Sequence, residues 1–185
     1  QPRSRGLGDV YKRQGQGIAE ALAAQGCNIV LNGFGDAGQI EALRTKIARA
    51  HDVTVLHDGA DMSKGDAITA MMDKAIKEFG AVDILVNNAG ILHVAPIDEF
   101  PVDKWNAVIA IDLVASFYTI RRALPAMKQR GWGRIINVAS AQALIASPSM
   151  SAYAAAKHGV AGLTKTVALE VAERGREAED RHHLG

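Results

Sequence analysis

Cysteine is almost absent from this chain. Cys27 is the only one in 185 residues, so no disulfide framework holds the fold, and a reducing compartment such as the cytoplasm suits it best. Excess charge is also missing. The 21 Lys and Arg residues are matched by 20 Asp and Glu, leaving a net charge of +1. Such a balance has no general attraction for a polyanion, which argues against a nucleic-acid partner. No apolar run approaches the ~18 residues that cross a bilayer, so no membrane partner is expected. Neither a signal peptide nor an internal repeat is visible. His182 and His183 have no third ligand near them, so no metal site is expected. What is present suits one globular domain with a sizeable core, with 48% hydrophobic and 22% charged residues.

Residues 1–14, Q-P-R-S-R-G-L-G-D-V-Y-K-R-Q, are basic and nearly unpatterned. Gly6 and Gly8 follow no strand, so they fail as a nucleotide-binding loop. The stretch reads as a foreign leader outside the fold. At the other end, residues 175–185, G-R-E-A-E-D-R-H-H-L-G, lose all apolar periodicity and read as a disordered or foreign tail. The coherent domain runs between them, over 15–174.

That domain alternates helices and strands. Ile18, Leu22 and Ala23 have helical spacing, and Gly26 stops that helix. Strands are predicted at Asn28–Leu31, Val53–Leu56, Val82–Val86 and Arg134–Val138. Helices are predicted at Ala37–Ala50, Lys64–Phe79 and Ser151–Ala172, with a long helical pair over Val102–Arg130 expected to kink or break at Pro125. Strands alternating with helices predict a parallel, doubly wound α/β sheet of Rossmann type. The pattern opens on a helix, so the sheet is expected to lack its first strand, and also its C-terminal strands.

The stretch with most chemistry in it is Ser140 to Lys157, S-A-Q-A-L-I-A-S-P-S-M-S-A-Y-A-A-A-K. Tyr153 and Lys157 are four residues apart, so they share a helix face. An ammonium beside a phenol favours the phenolate, which equips Tyr153 to give and take a proton. Ser140 follows the apolar run R-I-I-N-V-A, at the strand end where open α/β sheets bind ligands. Taken alone, Tyr-x-x-x-Lys is a weak signal, more often a helix face with a half-buried Tyr and a snorkelling Lys.

Asn87-Asn88-Ala89-Gly90, followed in order by Ser140, Tyr153 and Lys157, resembles the short-chain dehydrogenase/reductase family across residues 15 to 174. The resemblance implies an NAD-dependent oxidoreductase, with NADP the weaker alternative. It would move hydride between nicotinamide and a small-molecule secondary alcohol or ketone, as a cytoplasmic homo-oligomer. It implies catalytic roles for Ser140, Tyr153, Lys157 and Asp112. Cofactor contacts would come from Gly15, Phe34, Asp61, Met62, Asn87, Ala89, Gly90, Tyr153 and Lys157. Asp61 reads as an adenine contact, a helix N-cap, or both. Phe34 lies against the adenine or packs under its loop. N-G-F-G, after the first predicted strand, offers no cation for a 2′-phosphate. Of the family's glycine-rich diphosphate loop only Gly15 is present, which leaves a second reading open: a catalytically dead fragment, or a non-enzymatic binding or scaffold subunit.

Within the family the text is most similar to the bacterial D-3-hydroxybutyrate dehydrogenase branch, through N-I-V-L-N-G-F-G-D, H-D-G-A-D-M-S-K-G, F-P-V-D-K-W and G-R-I-I-N-V-A-S-A. That branch holds a substrate carboxylate with Gln, His and Lys where this chain has Leu92, Gln142 and Met150. Leu and Met offer a carboxylate neither donor nor charge. Asp112 stands where the family usually has Asn. An ionised Asp accepts hydrogen bonds but donates none, and its charge would favour a protonated Lys157.

Overall fold

The computed structural model describes residues 7–182, with side chains over 13–172. Its elements are α1 (Leu7–Ala23), β1 (Ile29–Asn32), α2 (Ala37–His51), β2 (Val55–Asp58), α3 (Gly65–Phe79) and β3 (Ile84–Asn87). They continue as α4 (Val102–Ile109), a π turn (Ala110–Val114), α5 (Ala115–Arg130), β4 (Arg134–Asn137), a 3-10 turn (Ala141–Ala143) and α6 (Ser151–His182). Every predicted helix and strand is found, with strand ends displaced by one to two residues. Among the described residues no helix is long and apolar enough to cross a membrane.

The strands form two parallel pairs, β1 with β2 and β3 with β4. In a doubly wound sheet of order 3-2-1-4-5-6, the first strand lies between the second and the fourth. No strand precedes α1 among the described residues. The two pairs are the 3-2 and 4-5 fragments of that order, which is why β1 and β3 do not bond. Register is set so that Asn32 faces Asp58 and Asn87 faces Asn137. Each strand ends in a polar residue, so within each parallel pair the polar ends lie together at the carboxyl end.

Two cores flank the pairs. Ala19, Ala23, Ile29, Ile47 and Val55 bury the contact of α1 and α2 with β1 and β2. Ile68, Met71, Met72, Leu85, Ile120, Ala123 and Met127 bury that of α3 and α5 with β3. Gly80 and Gly131 end α3 and α5 at φ 79° and 67°, a backbone region that suits glycine.

One expectation needs correction. The long helix over 102–130 is interrupted at the π turn, not at Pro125, which lies inside α5. Pro125 and Arg121, whose carbonyl it leaves unbonded, are both exposed, so water can take that bond. Residues 7–14, read from the sequence as a foreign leader, are helical and continue into α1. Residues 175–182, read from the sequence as part of a disordered or foreign tail, are helical as the end of α6. Residues 1–6 and 183–185 of those two segments, with His183, lie outside the described residues.

Candidate active site

The N-terminal turns of α6 carry a face of small residues. Ala152 and Ala156 are buried, and on the same face a Cβ on Gly159 would stand 2.8 Å from Leu113 Cδ2. Glycine there lets α6 close on the π turn. This close approach buries Tyr153, at 4% exposure, and Lys157, at 2%. Lys157 Nζ lies 5.5 Å from the centroid of the Tyr153 ring, so the i, i+4 pairing predicted from sequence is realised. Nζ donates to the Val138 carbonyl at 3.0 Å, which ties α6 to the end of β4. Ser140 is half-buried two residues on, and its Oγ accepts from the Gln142 amide at 3.2 Å.

Asp112 enters the site from the π turn and is 2% exposed. In this turn the Ala115 amide reaches back five residues to the Ala110 carbonyl, a bulge of the kind frequent at functional sites. Asp112 Oδ1 accepts from the Ile91 amide at 2.8 Å. Oδ2 lies 3.5 Å from Lys157 Nζ, an ion pair with both side chains almost fully buried. Burial pushes the Asp112 carboxyl up to about 6, against the opposing pull of the Ile91 amide and the Lys157 charge. A Cβ on Gly90 would stand 3.1 Å from Oδ2 and 3.7 Å from Nζ. Gly90 was expected to admit a cofactor, yet within the protein it already admits this ion pair.

The other residues of the N-N-A-G turn divide. Asn87 is spent on structure, donating to Asn137 Oδ1 at 2.8 Å and accepting from Thr119 at 2.7 Å. Asn88 packs against α1, where a Cβ on Gly15 would be 3.0 Å from its Nδ2. Ala89 is exposed.

Leu92 and Met150 pack with Phe100, Val108 and Tyr153 in one apolar cluster. The Ala95 amide bonds the Ser149 carbonyl at 3.0 Å, which fixes their two loops together. Gln142 turns its amide nitrogen to Ser147 Oγ at 2.7 Å, and its buried Oε1 has no hydrogen-bond partner. Beside the phenol, the lining is therefore mainly apolar.

Phe34, Asp61 and Met62 do not join the Tyr153 cluster. Phe34 is 65% exposed on the loop after β1, which rules out packing beneath that loop. Met62 packs into the core of α3, α5 and β3. Asp61 is not the N-cap of α3, since Lys64 holds that position. Its Oδ1 accepts from the Ser63 amide at 2.9 Å and hydroxyl at 2.7 Å, which holds the carboxyl below its usual range.

A nicotinamide dinucleotide fits one half of this surface. The polar ends of β1 to β4 lie at the carboxyl edge of the strands, where doubly wound folds take ligands. Lys157 and Tyr153 stand beside the end of β4. The diphosphate half does not fit. It needs a glycine-rich loop opening a helix N-terminus, and residues 7–23 are instead one continuous helix.

The short chain dehydrogenase family model matches residues 14–177. A D-beta-hydroxybutyrate dehydrogenase of Cupriavidus necator is 57% identical over 162 residues, covering 87% of this chain and 62% of that protein. One of Rhizobium meliloti is 56% identical over 161 residues, with the same coverage. The chain thus spans less than two thirds of the length of either relative. A crystal structure of a metagenomic short-chain oxidoreductase in complex with NADP superposes with a TM-score of 0.80. It is 31% identical, over 86% of this chain and 72% of that one.

The carboxyl of Asp112 gives the fold a pH signature. Its folded value of about 6 lies above the ordinary 3.8, so the folded state holds a proton that the unfolded state has released. Stability from this group is complete below pH ~4 and lost as pH rises through about 6. Two units correspond to about 3 kcal/mol. Urea unfolding of the chain and of Asp112→Asn at pH 4 and pH 7 should show that loss in the native chain alone. An equal change in both would contradict the assignment.

Proposed function

We propose, from the premise that this chain belongs to the short-chain dehydrogenase family, that its site serves an oxidoreductase. The reaction moves hydride between a nicotinamide and a secondary alcohol or ketone, in the manner of a 3-hydroxybutyrate dehydrogenase. The observation that carries the reading is the buried Tyr153, with the Lys157 ammonium 5.5 Å from its ring at the end of β4.

A bound nicotinamide supplies the hydride acceptor. The chain's own residues manage the proton. Tyr153 takes the hydroxyl proton of the alcohol in oxidation and returns it in reduction. Lys157 holds its amino group beside the phenol ring, tied there by the Val138 carbonyl. The Ser140 hydroxyl bonds the substrate oxygen and stabilises the charge that develops there.

NAD is the proposed cofactor. Gly33-Phe34-Gly35 offers no cation to a 2′-phosphate, and the next residue is the acid Asp36. A homo-oligomer in a reducing, cytoplasmic setting is the proposed form. For the 185 residues alone, the helical course of 7–23 favours the second reading, a catalytically dead fragment or a binding or scaffold subunit.

The substrate is proposed to differ from that named for the two relatives. Leu92 and Met150 place hydrocarbon beside Tyr153, and Gln142 presents an unbonded oxygen, with one of its two N–H donors engaged by Ser147 and the other left as the one donor among the three for a carboxylate. A carboxylate entering this lining loses bonds of ~1.5–3 kcal/mol each. A neutral secondary alcohol or ketone of similar size suits it better.

Two tests follow. In a chain extended to its relatives' length, Tyr153→Phe should abolish alcohol oxidation while dinucleotide still binds. The unaltered extended chain should give a higher kcat/KM for neutral alcohols than for D-3-hydroxybutyrate. Near-normal turnover in the variant refutes the mechanism, and an outright win for the hydroxy acid refutes the pocket assignment. Separately, fluorescence titration should show the extended chain binding NADH more tightly than NADPH, and the 185-residue chain binding neither to saturation. A preference for NADPH, or saturable binding by the short chain, would overturn those two statements in turn.

A further inference from the structure

One carboxylate makes two contacts in this site that an amide could not make together. Oδ1 of Asp112 holds the Ile91 amide at 2.8 Å. Oδ2 faces the Lys157 ammonium at 3.5 Å. An Asn side chain accepts the first contact with its oxygen, but then turns an N–H2 donor toward the N–H3 donors of Lys157. Ile91 is the neighbour of Leu92, which lines the apolar cluster around Tyr153. The loop that carries the pocket wall is therefore fastened through Asp112 to the helix that carries Tyr153 and Lys157.

We propose that Asp112 is a positioning residue whose ionised carboxylate latches the Gly90–Leu92 loop to Lys157. One charge thereby holds the pocket wall and the ammonium in register, and its neutralisation loosens both. A hydrogen bond from an amide to a carboxylate is shorter and about twice as strong as one to a neutral oxygen. Protonation therefore weakens the Ile91 bond and removes the ion pair in one step. Gly90 belongs to the latch, because a side chain there would meet both Oδ2 and Nζ.

Other titratable groups lie on the elements around Asp112. Tyr153 and His158 share α6 with Lys157, and the His158 Nδ1 is engaged by its own helix at the Ala154 carbonyl, 2.9 Å away. His93, on the same loop as Ile91, stacks edge-on against Phe100. On α4, Asp103 and Lys104 are exposed and lie 3.6 Å from one another. Asp112 titrating near 6, for the reasons of burial given above, places the release of the latch in a mildly acidic range.

This rests on the functional reading for the meaning of the pocket, but its test needs no turnover. The Ile91 amide resonance of the 185-residue chain is followed by proton–nitrogen NMR from pH 4.5 to 8. The expected result is a single step with its midpoint near 6. That step is absent in Asp112→Asn and survives in His93→Gln, which removes the imidazole two residues along. In Lys157→Met the midpoint moves to higher pH by about one unit, because the attraction that favours the carboxylate is gone. If Asp112→Asn loses the dispersed spectrum of a fold, the Lys157→Met displacement decides alone. The latch is overturned by a flat Ile91 resonance, by a step that persists in Asp112→Asn, by one abolished in His93→Gln, or by an unmoved midpoint in Lys157→Met. Activity of Tyr153→Phe bears only on the functional reading and leaves these results as they stand.

Discussion

Asp112 and Lys157 are buried together, and much of the local structure around them is what that burial requires. Two charges out of water need good geometry and further bonds to be tolerated. The Ile91 amide supplies one to Asp112 Oδ1 and the Val138 carbonyl one to Lys157, at 2.8 and 3.0 Å, while Oδ2 has only the ion pair at 3.5 Å and no hydrogen bond. The π turn aims Asp112 inward between α4 and α5. Gly90 and Gly159 leave room where any Cβ would crowd the pair or the turn beside it. The small face of α6 then lets the helix seat Tyr153 over the same point. Remove the pair and these choices lose their common cause.

The pair does not act mainly as a source of stability. The carboxyl rises with burial, which means that the loss of hydration outweighs what Lys157 and the Ile91 amide return. What the charge gives is position: a loop, a strand end and a helix converge on one ammonium. Such a trade is common where a site needs definition more than the fold needs free energy. The apolar lining of Leu92 and Met150 agrees with it, since hydrocarbon around the phenol keeps water from screening the ammonium.

Much of this was legible in the sequence, because it depends on local periodicity. The strand ends near Asn87 and Val138, and the shared face of Tyr153 and Lys157, follow from alternation and from i, i+4 spacing. The rest depends on tertiary contact. A π turn has no sequence marker as strong as proline, so Pro125 drew the expected break away from Asp112. Asp61 resembles an N-cap, but the first turn of α3 opens one helical step later, at Lys64. Met62 is apolar beside a polar loop, and only the packing of α3 on α5 shows that it faces the core. Asn87 has the pattern of a ligand contact, and its side-chain bonds to Thr119 and Asn137, 32 and 50 residues away in sequence, had no signal there. The close seating of α6 had one visible signal, the run of Ala residues with Gly159 at helical spacing.

The central claim is that Asp112 and Lys157 act on each other as charges inside the fold. A double-mutant cycle with Asp112→Asn, Lys157→Met and the pair together, read by urea unfolding at two pH values, tests it most directly. The account predicts a favourable coupling of about 1.5–3 kcal/mol at pH 7.5, where Asp112 is ionised, falling toward zero at pH 4.5, where it is protonated. Additive effects at pH 7.5, or a coupling of equal size at both pH values, would contradict it.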